Sequence, residues 1–139
     1  MDVIRLPAQL PSIKKAQSFI KKCLPSGALA SGLATRVALI LDEVLVNIVR
    51  YAYPQVHTGE FEVCCWADEA GLIWLEVRDW GVPFNPLERE RPDPSLDLSS
   101  RRMGGWGIEI IRLMTDEVTY QHLLDANILT LRFINQARP

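Results

Sequence analysis

The chain has 139 residues and a formal net charge of −2, with 48% hydrophobic and 23% charged residues. This excludes a disordered segment, and it excludes a binder of nucleic acid or anionic membrane that works by bulk charge. It suits one domain over residues 1–139, since about 100–200 residues per domain is usual.

Cys23, Cys64 and Cys65 lack C-x-x-C spacing, so they form neither a disulfide framework nor a zinc site and read as buried free thiols. No stretch has the apolar core of a signal peptide or the roughly 20 apolar residues of a membrane span, so the expected compartment is the cytoplasm.

Val3–Leu6 reads as a strand stopped by Pro7. Ser12 is placed to cap a helix over 13–23, where Ile13, Ala16, Phe19, Ile20 and Cys23 recur at helical spacing. A second helix is expected from Leu33 to Tyr53, ended by Pro54. Its Val37, Leu41, Val44, Ile48 and Tyr51 fall within roughly 80° of one another, which defines a buried stripe. Glu43, Asn47 and Arg50 fall within about 60°, centred roughly 120° away. Glu43 and Asn47 lie one above the other, a carboxylate able to act as a general base beside an amide oxygen able to hold magnesium. Taken alone, the pair is more simply a solvated helix face.

Two strands follow, over 60–67 and 72–79, joined by a short loop whose Gly71 suits a hairpin. The second runs into Asp79-Trp80-Gly81-Val82-Pro83-Phe84-Asn85-Pro86. An aspartate at a strand end can accept a hydrogen bond from an exocyclic amine such as adenine's, and Gly81 lets backbone pass close to a flat ring. An ordinary turn has the same residues. Residues 84–105 carry prolines and arginines with little apolar periodicity, and a loop this long inside a compact domain tends to be functional, here as a lid. Gly104-Gly105-Trp106-Gly107-Ile108 then opens a helix over 107–114, offering free backbone N–H groups to an anion such as phosphate. It is neither a Walker loop nor a dinucleotide fingerprint. Strands near 117–122 and 128–134 complete the chain. The order predicts an α+β two-layer sandwich, a mixed, mostly antiparallel sheet covered on one face by helices.

Helix E-x-x-x-N, strand-end D-x-G, long loop and G-G-x-G opening a helix form an ordered set far more specific than any member. It resembles the GHKL ATPases, the group of gyrase, heat-shock chaperone, mismatch-repair and histidine-kinase ATP domains. Within that group the chain is most similar to the anti-sigma regulatory serine/threonine kinases, through the strings 79–86 and 104–108, the run 111–118 and the opening Leu6-Pro7-Ala8. The resemblance implies ATP and magnesium bound beneath the lid, with Glu43 as base and Asn47 as metal ligand. It also implies nucleotide contacts from Arg50, Asp79, Gly81, Phe84, Arg101, Gly104, Gly105, Trp106, Gly107, Ile108 and Asn127. Implied partners are a sigma factor or analogous switch protein, a small anti-sigma antagonist that is phosphorylated, and a second copy in a homodimer. Nucleic acid is not among them. Ala126-Asn127 stands where many relatives have Gly-Thr, and Arg50 where histidine is frequent.

The alternative is a nucleotide-dependent module that sequesters a partner without phosphotransfer; a detached phosphorelay domain is a third reading. The presence of both Glu43 and Asn47 favours the kinase. Trp80, Trp106 and Phe84 flank the glycine turns and suit partner docking or core packing alike. Trp66 and Trp74 belong to strands, and His57 and His122 show no metal or triad partner at suggestive spacing.

Overall fold

Four backbone ladders, every one antiparallel, tie the strands into a sheet of order β1-β2-β3-β5-β4. The computed structural model describes residues 1–25, 27, 32–54, 59–88 and 107–133. The elements are β1 (Asp2–Pro7), α1 (Leu10–Cys23), α2 (Leu33–Asn47), a π-helical turn (Ile48–Ala52), β2 (Glu60–Ala67), β3 (Ile73–Asp79), a 3₁₀ turn (Pro86–Glu88), α3 (Gly107–Met114), β4 (Glu117–Leu123) and β5 (Ala126–Phe133). The expected two-layer α+β architecture is present, with no parallel pair among the described strands.

Strand alternation decides which face the helices cover. Along β3, Ile73, Leu75, Val77 and Asp79 are buried, while Trp74, Glu76 and Arg78 are only half-buried. The buried set joins Phe61, Val63, Leu129, Leu131 and Phe133 in one core with Ile13, Ala16 and Ile20 of α1, six side chains of α2, and Ile111 of α3. The opposite face carries Arg5–Glu62, Arg78–Glu76 and Arg132–Glu117 ion pairs at 2.9–3.3 Å and a stacked Trp66–Trp74 pair at 5.9 Å. It is therefore a polar and aromatic face that needs no helix. Cys64 and Cys65 are both buried, as two free thiols on successive strand positions, and burial pushes the Cys65 thiol up to about 12.

Two expectations about helix ends need correction. Ser12 does not cap α1: the helix begins at Leu10 behind Gln9, and Ser12 is buried inside it. Pro11 permits this start, because the missing N–H of a first-turn proline would have no helical partner anyway. The second correction concerns α2, which is not α-helical as far as Tyr53. After Asn47 the chain widens into the π-helical turn Ile48–Ala52, a form that is rare and tends to occur at functional sites.

Candidate functional site

The π-helical turn meets the end of β3. The Val82 N–H donates to the Ala52 carbonyl at 2.8 Å, and a Cβ on Gly81 would stand 2.6 Å from the Ala52 carbonyl carbon. Gly81 is thus required by the helix end; this close approach of backbone to backbone is independent of any ligand. Trp80 is held on the other side: its N–H donates to the Tyr53 hydroxyl at 2.9 Å, and the Arg5 guanidinium lies 4.4 Å from its ring centroid. These contacts assign Trp80 to packing against β1 and the helix end.

Between this junction and β5 lies a small cavity of about 40 Å³; an apolar lining with a few convergent polar groups is usual at small-molecule sites. Val44, Ile48, Val77 and Leu129 make its apolar floor, and Asn47, Asp79, Tyr120 and Asn127 supply polar groups, with Phe84 and Pro86 at the rim. Asp79 is 6% exposed. Its Oδ1 accepts from the Gly81 N–H at 2.9 Å and from Asn127 Nδ2 at 3.0 Å, and no hydrogen bond reaches Oδ2 among the described residues. Burial pushes its carboxyl above the ordinary range, against the opposing pull of those hydrogen bonds and of His122.

Asn47 is 8% exposed and lines the same cavity. Its amide has no hydrogen-bond partner among the described residues, so it is available to a ligand in the cavity it lines. An amide oxygen suits magnesium and an ionised carboxylate suits an amine, so the polar groups fit a magnesium–nucleotide complex. Glu43, one turn earlier, is half-buried and sits outside the cavity lining. Burial, then the neighbouring Asp42, pushes its carboxyl above the ordinary 4.5, opposed by Arg50. Arg50 itself is exposed on the π-helical turn.

Asn127, a nucleotide contact by resemblance, has its side-chain amide tied to the protein. Nδ2 donates to Asp79 Oδ1, to the Val82 carbonyl at 2.9 Å and to the Gly81 carbonyl at 3.4 Å. Oδ1 accepts from the Phe84 N–H at 3.3 Å and from the Tyr120 hydroxyl, with His122 Nδ1 at 3.3 Å. Phe84 is therefore held by its backbone N–H, with its ring tilted against Tyr51 at 6.5 Å.

Sequence reasoning overlooked Tyr120 and gave His122 no role. The signal was the hairpin register, which pairs Leu123 with Ala126 and so places His122 opposite Asn127 and Tyr120 opposite Leu129. Arg101, Gly104, Gly105 and Trp106, most of the expected lid 84–105, and His57 lie outside the described residues; Gly107 and Ile108 open α3, and nothing is described of their side chains. No group of three metal-ligating side chains occurs among the described residues, and no described helix is long and apolar enough to cross a membrane.

One solved structure, the RsbU and RsbW domains of Rv1364c from Mycobacterium tuberculosis, matches with a TM-score of 0.59 and 14% identity over 100% of this chain and 34% of that one. Another, the histidine kinase domain of a blue-light activated histidine kinase from Erythrobacter litoralis EL346, matches with a TM-score of 0.49 and 18% identity over 72% of this chain and 43% of that one. The chain thus spans less than half the length of either. A search of curated protein sequences found no match. The family model of the histidine kinase-like ATPase domain matches residues 6–133, from the end of β1 to the end of β5 and across the whole cavity. The chain belongs to the histidine kinase-like ATPase domain family.

Proposed function

We propose that this chain binds ATP with magnesium in the Asn47–Asp79 cavity and transfers the terminal phosphoryl group to a serine or threonine of a small anti-sigma antagonist. One observation carries the reading. Across a single apolar-floored cavity stand an amide and a carboxylate oxygen that have no hydrogen-bond partner among the described residues, the two groups a magnesium–adenine nucleotide needs. Family membership supports ATP as the ligand, and the RsbW domain in one structure of this fold supports the regulatory setting.

Asp79 Oδ2 would accept from the adenine amine while the apolar floor takes the ring. Asn47 would offer its amide oxygen to magnesium, whose chemistry is to neutralise charge on the phosphate oxygens. Glu43, lying one turn from Asn47 along the same helix, would take the proton of the incoming hydroxyl as the new O–P bond forms and the bond to ADP breaks. A carboxylate whose proton affinity is raised by burial suits that role. By the resemblance, Gly104 to Gly107 and Arg101 would serve the phosphate groups, with 84–105 as the lid. The proposed partners are the antagonist, a sigma factor or analogous switch protein, and a second copy of the chain.

The test is calorimetry with ATP, GTP and magnesium, followed by transfer from radiolabelled ATP to the antagonist. Tight ATP binding with label on serine or threonine is expected. Absence of ATP binding overturns the reading. ATP binding with partner capture but no label would make the protein a sequestering module.

A further inference from the structure

Asn127 is 5% exposed, and its amide is fully engaged within the fold: Nδ2 on Asp79 Oδ1, Val82 O and Gly81 O, and Oδ1 with Phe84 N, Tyr120 Oη and His122 Nδ1. Two hydrogens and two lone pairs are its whole capacity, so nothing remains for a ligand. What the amide does control is Asp79. With the Gly81 N–H it places two donors on the same carboxylate oxygen.

We infer that Asn127, held by Tyr120 and His122, is a positioning residue that makes Asp79 selective for a base bearing an amine. The inference rests on the proposed adenine site. Two donors on Oδ1 fix the carboxylate plane and favour its ionised form, which only accepts hydrogen bonds. Oδ2, which no described donor reaches, is then an obligate acceptor on a residue that lines the cavity, suited to an exocyclic amine and repelled by a carbonyl. Without Asn127, Asp79 would keep its burial but lose one donor. The neutral acid, which can donate from Oδ2 to a carbonyl, would become more accessible, and the carboxyl would be freer to turn.

The experiment measures the ratio of affinities for ATP and inosine triphosphate, which carries a carbonyl in place of the amine. Calorimetry is run on wild type, Asn127→Ala and Tyr120→Phe. Wild type should prefer ATP. Asn127→Ala should reduce the preference about tenfold, the effect of losing one hydrogen bond to a charged group. Tyr120→Phe, which keeps the ring and removes one donor to Asn127, should reduce it about threefold.

A residue that merely stabilises the fold would weaken both nucleotides together, so an unchanged ratio in the variants overturns the inference. Should Asn127→Ala not fold, the Tyr120→Phe ratio decides alone. Wild type that binds neither nucleotide overturns the adenine site itself, a result separate from an unchanged ratio.

Discussion

The two walls of the cavity are finished to different degrees. On the strand wall, Asp79 and Asn127 are cross-bonded to each other, to the 81–84 backbone and to β4. On the helix wall, Asn47 is buried too but has no hydrogen-bond partner among the described residues, and half-buried Glu43 has none either, only the Arg50 charge nearby. A network this complete fixes geometry before any ligand arrives, whereas a buried group left open has its partner supplied by the ligand. The strand wall is therefore a preorganised reader, and the helix wall is the part completed on binding. The π-helical turn joins them, with Ala52 taking the Val82 N–H and leaving no room for a side chain on Gly81.

The largest expected effect tests the helix wall. Glu43→Gln keeps the shape and removes the proton acceptor, so phosphotransfer should fall about 10²–10⁴-fold while ATP affinity changes little. In the wild type, the rate should fall as pH drops through a pKa above the ordinary 4.5. Transfer at the wild-type rate by the variant would remove Glu43 from the chemistry. Next comes the joint between the walls. Gly81→Ala forces the loop off the Ala52 carbonyl and should cost about 1–3 kcal/mol of stability, read as an earlier denaturant midpoint. An unchanged midpoint would mean that the two walls are not locked together there. An effect of comparable size tests the reader. In Asp79→Asn the amide oxygen can keep the two Oδ1 bonds, which turns an NH₂ group toward the ligand. ATP should bind at least about tenfold more weakly, the loss of a charge-assisted hydrogen bond worth roughly 1.5–3 kcal/mol. Equal affinity in calorimetry would place the base elsewhere.

Much of this was legible before the structure because periodicity and turn residues are local. β2 was expected over the residues it occupies, and α3 likewise. The buried α2 stripe holds for Val37, Leu41, Val44 and Ile48, and packing adds Ile40 and Leu45. What was illegible depends on contacts far apart in sequence. The π-helical turn fits an α-helical pattern perfectly well as a string, and its form goes with the docking of Gly81 and Val82 some thirty residues on. Asn127 was placed at the site by resemblance, yet its hydrogen bonds follow from register. The turn at Leu124 and Asp125, both with positive φ, contains no glycine to announce a tight hairpin. Reading β4 and β5 as separated by a longer gap hid the pairing of His122 with Asn127.

The smallest expected effect separates the walls by stability instead of binding. Asp79 holds its proton more tightly in the folded chain than in the unfolded one, because burial outweighs its hydrogen bonds. Its contribution to stability is therefore complete below the unfolded pKa and is lost as pH rises through the folded pKa. At neutral pH the ionised Asp79 is a net cost, retained for what it reads. Asp79→Asn, with the Oδ1 bonds kept and the charge gone, should melt at a slightly higher temperature than wild type at pH 7, by less than Gly81→Ala lowers it. The advantage should shrink as pH falls and the wild-type carboxyl takes up its proton. Glu43→Gln should behave in the same direction, since burial and Asp42 raise that group too. Thermal melts of both variants and wild type between neutral and acid pH measure the difference. If Asp79→Asn melts lower at every pH, the cross-bonded network stabilises the ionised carboxylate outright, and the strand wall is built for stability before selectivity.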